Sequence, residues 1–102
     1  MLSELIDWLE EQDPSLTVPY GFGQPSSYRG YYVDCAFTPI ENTTFGEMLA
    51  HAESALGATF TGWKGGEYKM DGETDCWIAE DGSTSSDMIG PTMMKLWEIC
   101  AE

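Results

Sequence analysis

A chain of 102 residues has the size of one domain, and with 42% hydrophobic and 13% aromatic residues it carries too much apolar material for a disordered segment. Eighteen acids against four bases give a net charge of −14, which repels nucleic acid and anionic lipid and argues against direct binding to DNA, RNA or a membrane through a basic patch. Cys35, Cys76 and Cys100 are an odd number at wide spacings, without a C-x-x-C pair, a long apolar run or an export signal, the pattern of reduced thiols in a cytoplasmic protein.

In chain order, "LSELIDWLEEQDP" places Leu2, Leu5, Ile6 and Leu9 at helical spacing, with Ser3 as a cap and Pro14 ending the run. Glu4, Asp7, Glu10, Glu11 and Asp13 cover the other side of this helix. Residues 14–33 change abruptly: they hold no acid, the chain's one arginine, Arg29, and five aromatics. An anion would meet the least electrostatic cost there. From Tyr31, "YYVDCAF" alternates as a half-buried strand, with Tyr31, Val33, Cys35 and Phe37 on one face, stopped by Pro39.

"NTTFGEMLAHAESALG" predicts a second helix with a capping box of Thr44 and Glu47, Phe45, Met48, Leu49, Ala52 and Leu56 inward, and Gly57 as its stop. "ATFTGW", "EYKM" and "DCWIAE" read as a small antiparallel meander, and "DGSTSSD" as a polar loop. Pro91 suits the first position of a last helix with Met93, Met94, Leu96 and Trp97 mostly inward. The expected fold is α+β, one domain over residues 1–102, with a small antiparallel sheet of about four strands packed with two or three helices.

Catalytic groups are scarce. His51, the single histidine, lies near the polar side of the second helix, and no G-x-S-x-G, P-loop or dinucleotide fingerprint is present. Asp71, Glu73 and Asp75 alternate as in a calcium loop, but an EF-hand needs glycine at the sixth position and glutamate at the twelfth, where Cys76 and Gly82 stand. Three scattered cysteines and one histidine make no zinc spacing. No enzymatic activity, metal or cofactor is expected.

Residue types for binding are better represented. Ser26, Ser27, Tyr28 and Arg29 bring hydroxyls, an aromatic ring and a permanently charged fork together beside Gly30. Trp63, Lys64 and Gly65 repeat the theme of ring, cation and exposed backbone amides, and Trp77 adds a second indole. Rings stack on bases and cations meet phosphate, so the set suits a nucleotide-like ligand. The same tryptophans and tyrosines are also ordinary sheet-face residues, and Gly65-Gly66 is also ordinary turn chemistry.

The runs "SSYRGYYVDCAFTP", "TTFGEMLAHAESALGATFTGWKGGEYKMD" and "TDCWIAEDG" resemble a group of small bacteriophage and prophage proteins that carries no established activity. The likeness spans Pro19 to Trp97, and its most specific part is Gly62 to Glu80. The order of Phe45 to Leu56, Gly62 to Tyr68 and Trp77 through Trp97-Glu98-Ile99 also resembles the Thoeris anti-defence 2 family, phage sponges for ADP-ribose-derived immune signals. The acid-free aromatic window beside the Gly-Trp-Lys turn, in the context these resemblances imply, leads to the expectation of a phage-encoded, cytoplasmic, non-enzymatic counter-defence protein that sequesters a small anionic, nucleotide-derived ligand. The acidic balance supports an alternative, a DNA mimic that occupies the basic groove of a host nuclease, restriction or CRISPR effector. Sheet edges that pair across a twofold would also allow a homo-oligomer.

Overall fold

Leu2, Leu5, Ile6 and Leu9, spaced three and four residues apart, are all buried on helix α1 (Leu2–Glu10). The computed structural model describes residues 1–27, 35–61, 67–79 and 86–102. Ser3 does not cap α1 but lies inside it. The free amides of the first turn are satisfied from elsewhere in the chain: Leu2 N–H donates to the Thr74 carbonyl (2.8 Å), and Ser3 donates to the Gly72 carbonyl from its amide (3.0 Å) and its hydroxyl (2.8 Å). The segment "DGETD" supplies these acceptors as a closed turn. There the Asp71 carboxylate accepts the Glu73 amide and Thr74 Oγ1 accepts the Asp71 amide, both at 2.9 Å.

After α1 the Asp13 carboxylate accepts the Ser15 hydroxyl (2.7 Å) and amide (2.9 Å), which hold its pKa below the ordinary value. Next come strands β1 (Thr17–Ser27) and β2 (Cys35–Thr44), paired antiparallel. Residues 17–27 thus form a strand that composition hid, because Pro19, Gly21, Gly23 and Pro25 break every propensity rule for one. Among the described residues β1 is a sheet edge, where a missing N–H need not serve a ladder, and its prolines are tolerated there. Pro39 does not stop β2 for a related reason: among the described residues β5 pairs with Cys35 to Phe37, and beyond that point β2 is bonded to β1 alone. Tyr31 to Asp34 fall outside the described residues.

Helix α2 (Phe45–Ala55) has its Thr44 cap, whose side chain accepts the Glu47 amide (3.1 Å). The capping box is half made, since the Glu47 carboxylate accepts from the Thr43 hydroxyl (2.8 Å). Leu56 caps the end and is exposed, and Gly57 follows with φ +78°, a backbone state that favours glycine. Strands β3 (Thr59–Thr61) and β4 (Glu67–Lys69) form an antiparallel hairpin of their own.

The expected meander ends there. Strand β5 (Cys76–Ala79) leaves the hairpin and runs parallel to β2, a pairing that needs the long crossover through α2. Strand β6 (Ser86–Met88), which begins inside the segment expected as a polar loop, pairs antiparallel with β5. The protein is therefore α+β, with three helices and a four-stranded mixed sheet ordered β1-β2-β5-β6 among the described residues. Helix α3 (Pro91–Cys100) begins at proline as expected. Of its four residues expected inside, Trp97 alone is buried, Met93 and Met94 are half-buried, and Leu96 is 55% exposed.

One core joins the buried sides of α1 and α2 to Val18, Phe22, Cys35, Phe37, Cys76, Ile89, Met70 and Trp97. None of the described helices is long and apolar enough to cross a membrane.

Candidate functional site

The sheet places two of the sequence-predicted binding residues in one row. Phe22 pairs with Pro39 but Pro25 pairs with Phe37, so Gly23 and Gln24 share the space opposite Thr38 in a β-bulge. That extra residue brings Ser26 into register with Ala36, and Ala36 is in turn in register with Trp77, which faces Met88 across β6. Ser26 and Trp77 therefore lie two strands apart, about 10 Å at ordinary strand spacing. The adjacent row is Ser27, Cys35 and Cys76.

Side chains alternate between the faces of a sheet, and the burial pattern follows. Cys35, Phe37 and Cys76 belong to the main core. Ala36 and Ala79 are buried in a separate small cluster on which the half-buried Trp77 packs. Trp77 thus presents its indole on the side of the sheet turned away from the main core, next to two side chains of one carbon each. Met88, at the end of the same row, is exposed.

Tyr28, Arg29, Trp63, Lys64 and Gly65 lie outside the described residues. Their described neighbours are placed: Ser27 and Cys35, which bracket Tyr28 and Arg29 in the chain, are register partners, as are Thr61 and Glu67, which bracket Trp63 to Gly65. His51 is half-exposed on α2, where its carbonyl accepts the Ser54 hydroxyl (2.7 Å). Among the described residues, no three His, Cys, Asp or Glu side chains come together as a metal site.

Sequence reasoning missed an apolar hollow of about 220 Å³ between Pro19 and Tyr20 of β1, Ile78 of β5, and Met93, Leu96, Trp97 and Cys100 of α3. No charged side chain among the described residues lines it, and the Trp97 indole N–H there is already committed, donating to the Tyr20 carbonyl at 2.7 Å. An anion would be desolvated in it without a counter-charge. A more open depression, about 410 Å³, lies beside Trp8, Pro91, Met94, Lys95 and Glu98, where the lysine is offset by the glutamate. Neither hollow was signalled in sequence, because each is assembled from segments more than fifty positions apart.

No protein-family model, curated protein or solved structure matches this chain.

Proposed function

We propose that this protein is a phage-encoded, non-enzymatic counter-defence protein that captures a small anionic, nucleotide-derived ligand in the cytoplasm of the bacterial host. The observation that carries the reading is the row of Ser26, Ala36 and Trp77, one step from the paired residues Ser27 and Cys35 that bracket Arg29. This row, with the chain's single arginine two positions after Ser27 in sequence, supports a site that combines a stacking ring, hydroxyls and a cation. In this reading Arg29 and Lys64 meet the anionic groups, Tyr28, Trp63 and Trp77 wall the ring system, and Ser26, Ser27 and Gly65 offer hydrogen bonds.

The test is native mass spectrometry and thermal shift against a panel of cyclic dinucleotides and ADP-ribose derivatives, on the parent and on Arg29→Ala. A ligand at a hundred times its Kd stabilises by about 2.7 kcal/mol, and the melting temperature rises accordingly. Hydrogen bonds to a charged group contribute about 1.5–3 kcal/mol, so Arg29→Ala should weaken binding roughly 10- to 150-fold. An unchanged affinity in Arg29→Ala, or no binding across the panel, would overturn the reading.

A second reading has its own observation. Every described Asp and Glu side chain except Asp75 is exposed, and the one ion pair among the described residues joins the α-amino group to Glu4 at 3.6 Å. The carboxylates are thus available to a basic partner, as a DNA mimic of a host nuclease substrate requires. Glu10 and Glu11 stand at the C-terminal end of α1, where no base accompanies them and the helix dipole disfavours negative charge. Replacing Glu4, Asp7, Glu10 and Glu11 by their amides should leave the fold intact and, under this reading, abolish inhibition of a DNA-cleaving enzyme. Full inhibition by the fourfold variant at low salt would remove α1 from the partner surface.

A further inference from the structure

Among the described residues, β2 and β5 share three register pairs: Cys35 with Cys76, Ala36 with Trp77, and Phe37 with Ile78. The first pair consists of two cysteines, 0% and 1% exposed, both within the main core and so on the same side of the sheet. Neighbouring strands lie about 4.8 Å apart. Disulfides join Cα atoms ~4.4–6.8 Å apart, so the backbone spacing already suits a bond between these two residues. One hydrogen bond crosses between the strands beside the pair, from the Cys35 amide to the Asp75 carbonyl (2.9 Å), and the Cys76 thiol donates locally to the Thr74 carbonyl (3.7 Å).

We infer that Cys35 and Cys76 are a dithiol–disulfide pair, a site of reversible oxidative modification that ties β2 covalently to β5. This inference stands independently of the proposed ligand. All three cysteines are reduced in the structure. With a low-molecular-weight disulfide as oxidant, the thiolate of one core cysteine attacks a reagent sulfur, expels one thiol and leaves a mixed disulfide. The thiolate of its register partner then attacks the protein sulfur of that mixed disulfide and expels the second thiol. Two protons leave the cysteines, and two electrons reduce one reagent disulfide to two thiols.

Burial slows the first step but does not forbid it. Local opening of the short strand β5 exposes both thiols transiently. Cys100 is exposed on α3 and has no register partner, so it reacts with the same reagent as a single adduct. Because Cys35 and Cys76 are far apart in sequence, their disulfide closes a long loop and restricts the unfolded chain, which raises the melting temperature of the oxidised form. It also fixes the register of the neighbouring row that holds Ser26, Ala36 and Trp77.

The test exposes the native parent protein overnight to oxidised glutathione, alkylates remaining thiols in denaturant and digests with trypsin. Cleavage after Arg29, Lys64, Lys69 and Lys95 puts Cys35 in peptide 30–64 and Cys76 in peptide 70–95. The expected product is these two peptides joined, lighter by two hydrogens than their sum, separated by reductant, with circular dichroism of the oxidised protein unchanged. Alkylation of both core cysteines, separate glutathione adducts on each, a bond from either to Cys100, or loss of the native spectrum would overturn the inference.

Discussion

Trp97→Ala is expected to lower the unfolding free energy by about 3–5 kcal/mol, the range for removing a large aromatic side chain from a packed site. Trp97 is the one buried residue of α3, and its ring packs on Trp8 and Phe22 at centroid distances of 6.1 and 5.8 Å. Its indole N–H reaches the Tyr20 carbonyl across 77 positions of sequence. One side chain therefore joins the last helix to the first helix and to the first strand. Domains of this size are stable by only ~5–15 kcal/mol, so the loss is a large share of the whole. In urea the midpoint should fall by more than about 1 M. Trp97→Phe separates the two contributions: it keeps much of the ring packing, gives up the hydrogen bond, and should cost about 1 kcal/mol beyond the lost ring area. An alanine variant within 1 kcal/mol of the parent would mean that α3 is held by its ends alone, through the Thr17 and Glu102 backbone pair at 2.8 and 2.9 Å.

The α+β class and the three helices were readable because helical signals are local. The spacing of Leu2, Leu5, Ile6 and Leu9, the Thr44 cap, Gly57 and Pro91 each act within a turn or two of where they stand. The sheet was hidden because its decisive features are not local. The parallel pairing of β5 with β2 is a choice between partners distant in sequence, and "DCWIAE" is equally suited to the hairpin it leaves. β1 was masked by glycines and prolines that only an edge position makes tolerable, and β6 by the polarity of "SDM". Ser3 looked like a cap and is not one because the turn at Asp71 to Thr74, seventy residues on, does the capping.

The candidate site shows the same division. Residue types for stacking and hydrogen bonding were visible in "PSSYRG" and "DCW", but their meeting in one row depends on the bulge at Gly23 and Gln24 and on the β2–β5 register. A shift of one residue at either place would put a core-side position opposite Ala36. Alternation alone cannot supply that information.

Two glycines of β1 that look alike in sequence should respond differently to the same methyl group. A Cβ on Gly21 would lie 2.3 Å from Thr43 Cγ2 and 2.7 Å from Met48 Sδ. Neither neighbour has room to yield: Thr43 is buried with its hydroxyl committed to the Glu47 carboxylate at 2.8 Å, and Met48 is fully buried in the core between the sheet and α2. Relief requires moving the strand or breaking that hydrogen bond, so Gly21→Ala should destabilise by about 1–3 kcal/mol. A Cβ on Gly23 also meets a side chain too closely, Ile40 Cδ1 at 2.2 Å. Ile40, however, is 39% exposed, and both atoms in the way, Cδ1 and Cγ1 (2.9 Å), belong to one side chain that can turn toward solvent. Gly23→Ala should therefore cost less than about 0.5 kcal/mol, and the gain from a less flexible unfolded chain offsets part of that. Paired urea titrations of the two variants measure the difference. Equal losses would place the rigidity of β1 in its backbone at the bulge; a large loss for Gly21→Ala alone would place it in the contact with Thr43 and Met48, where the strand, the cap of α2 and the core meet.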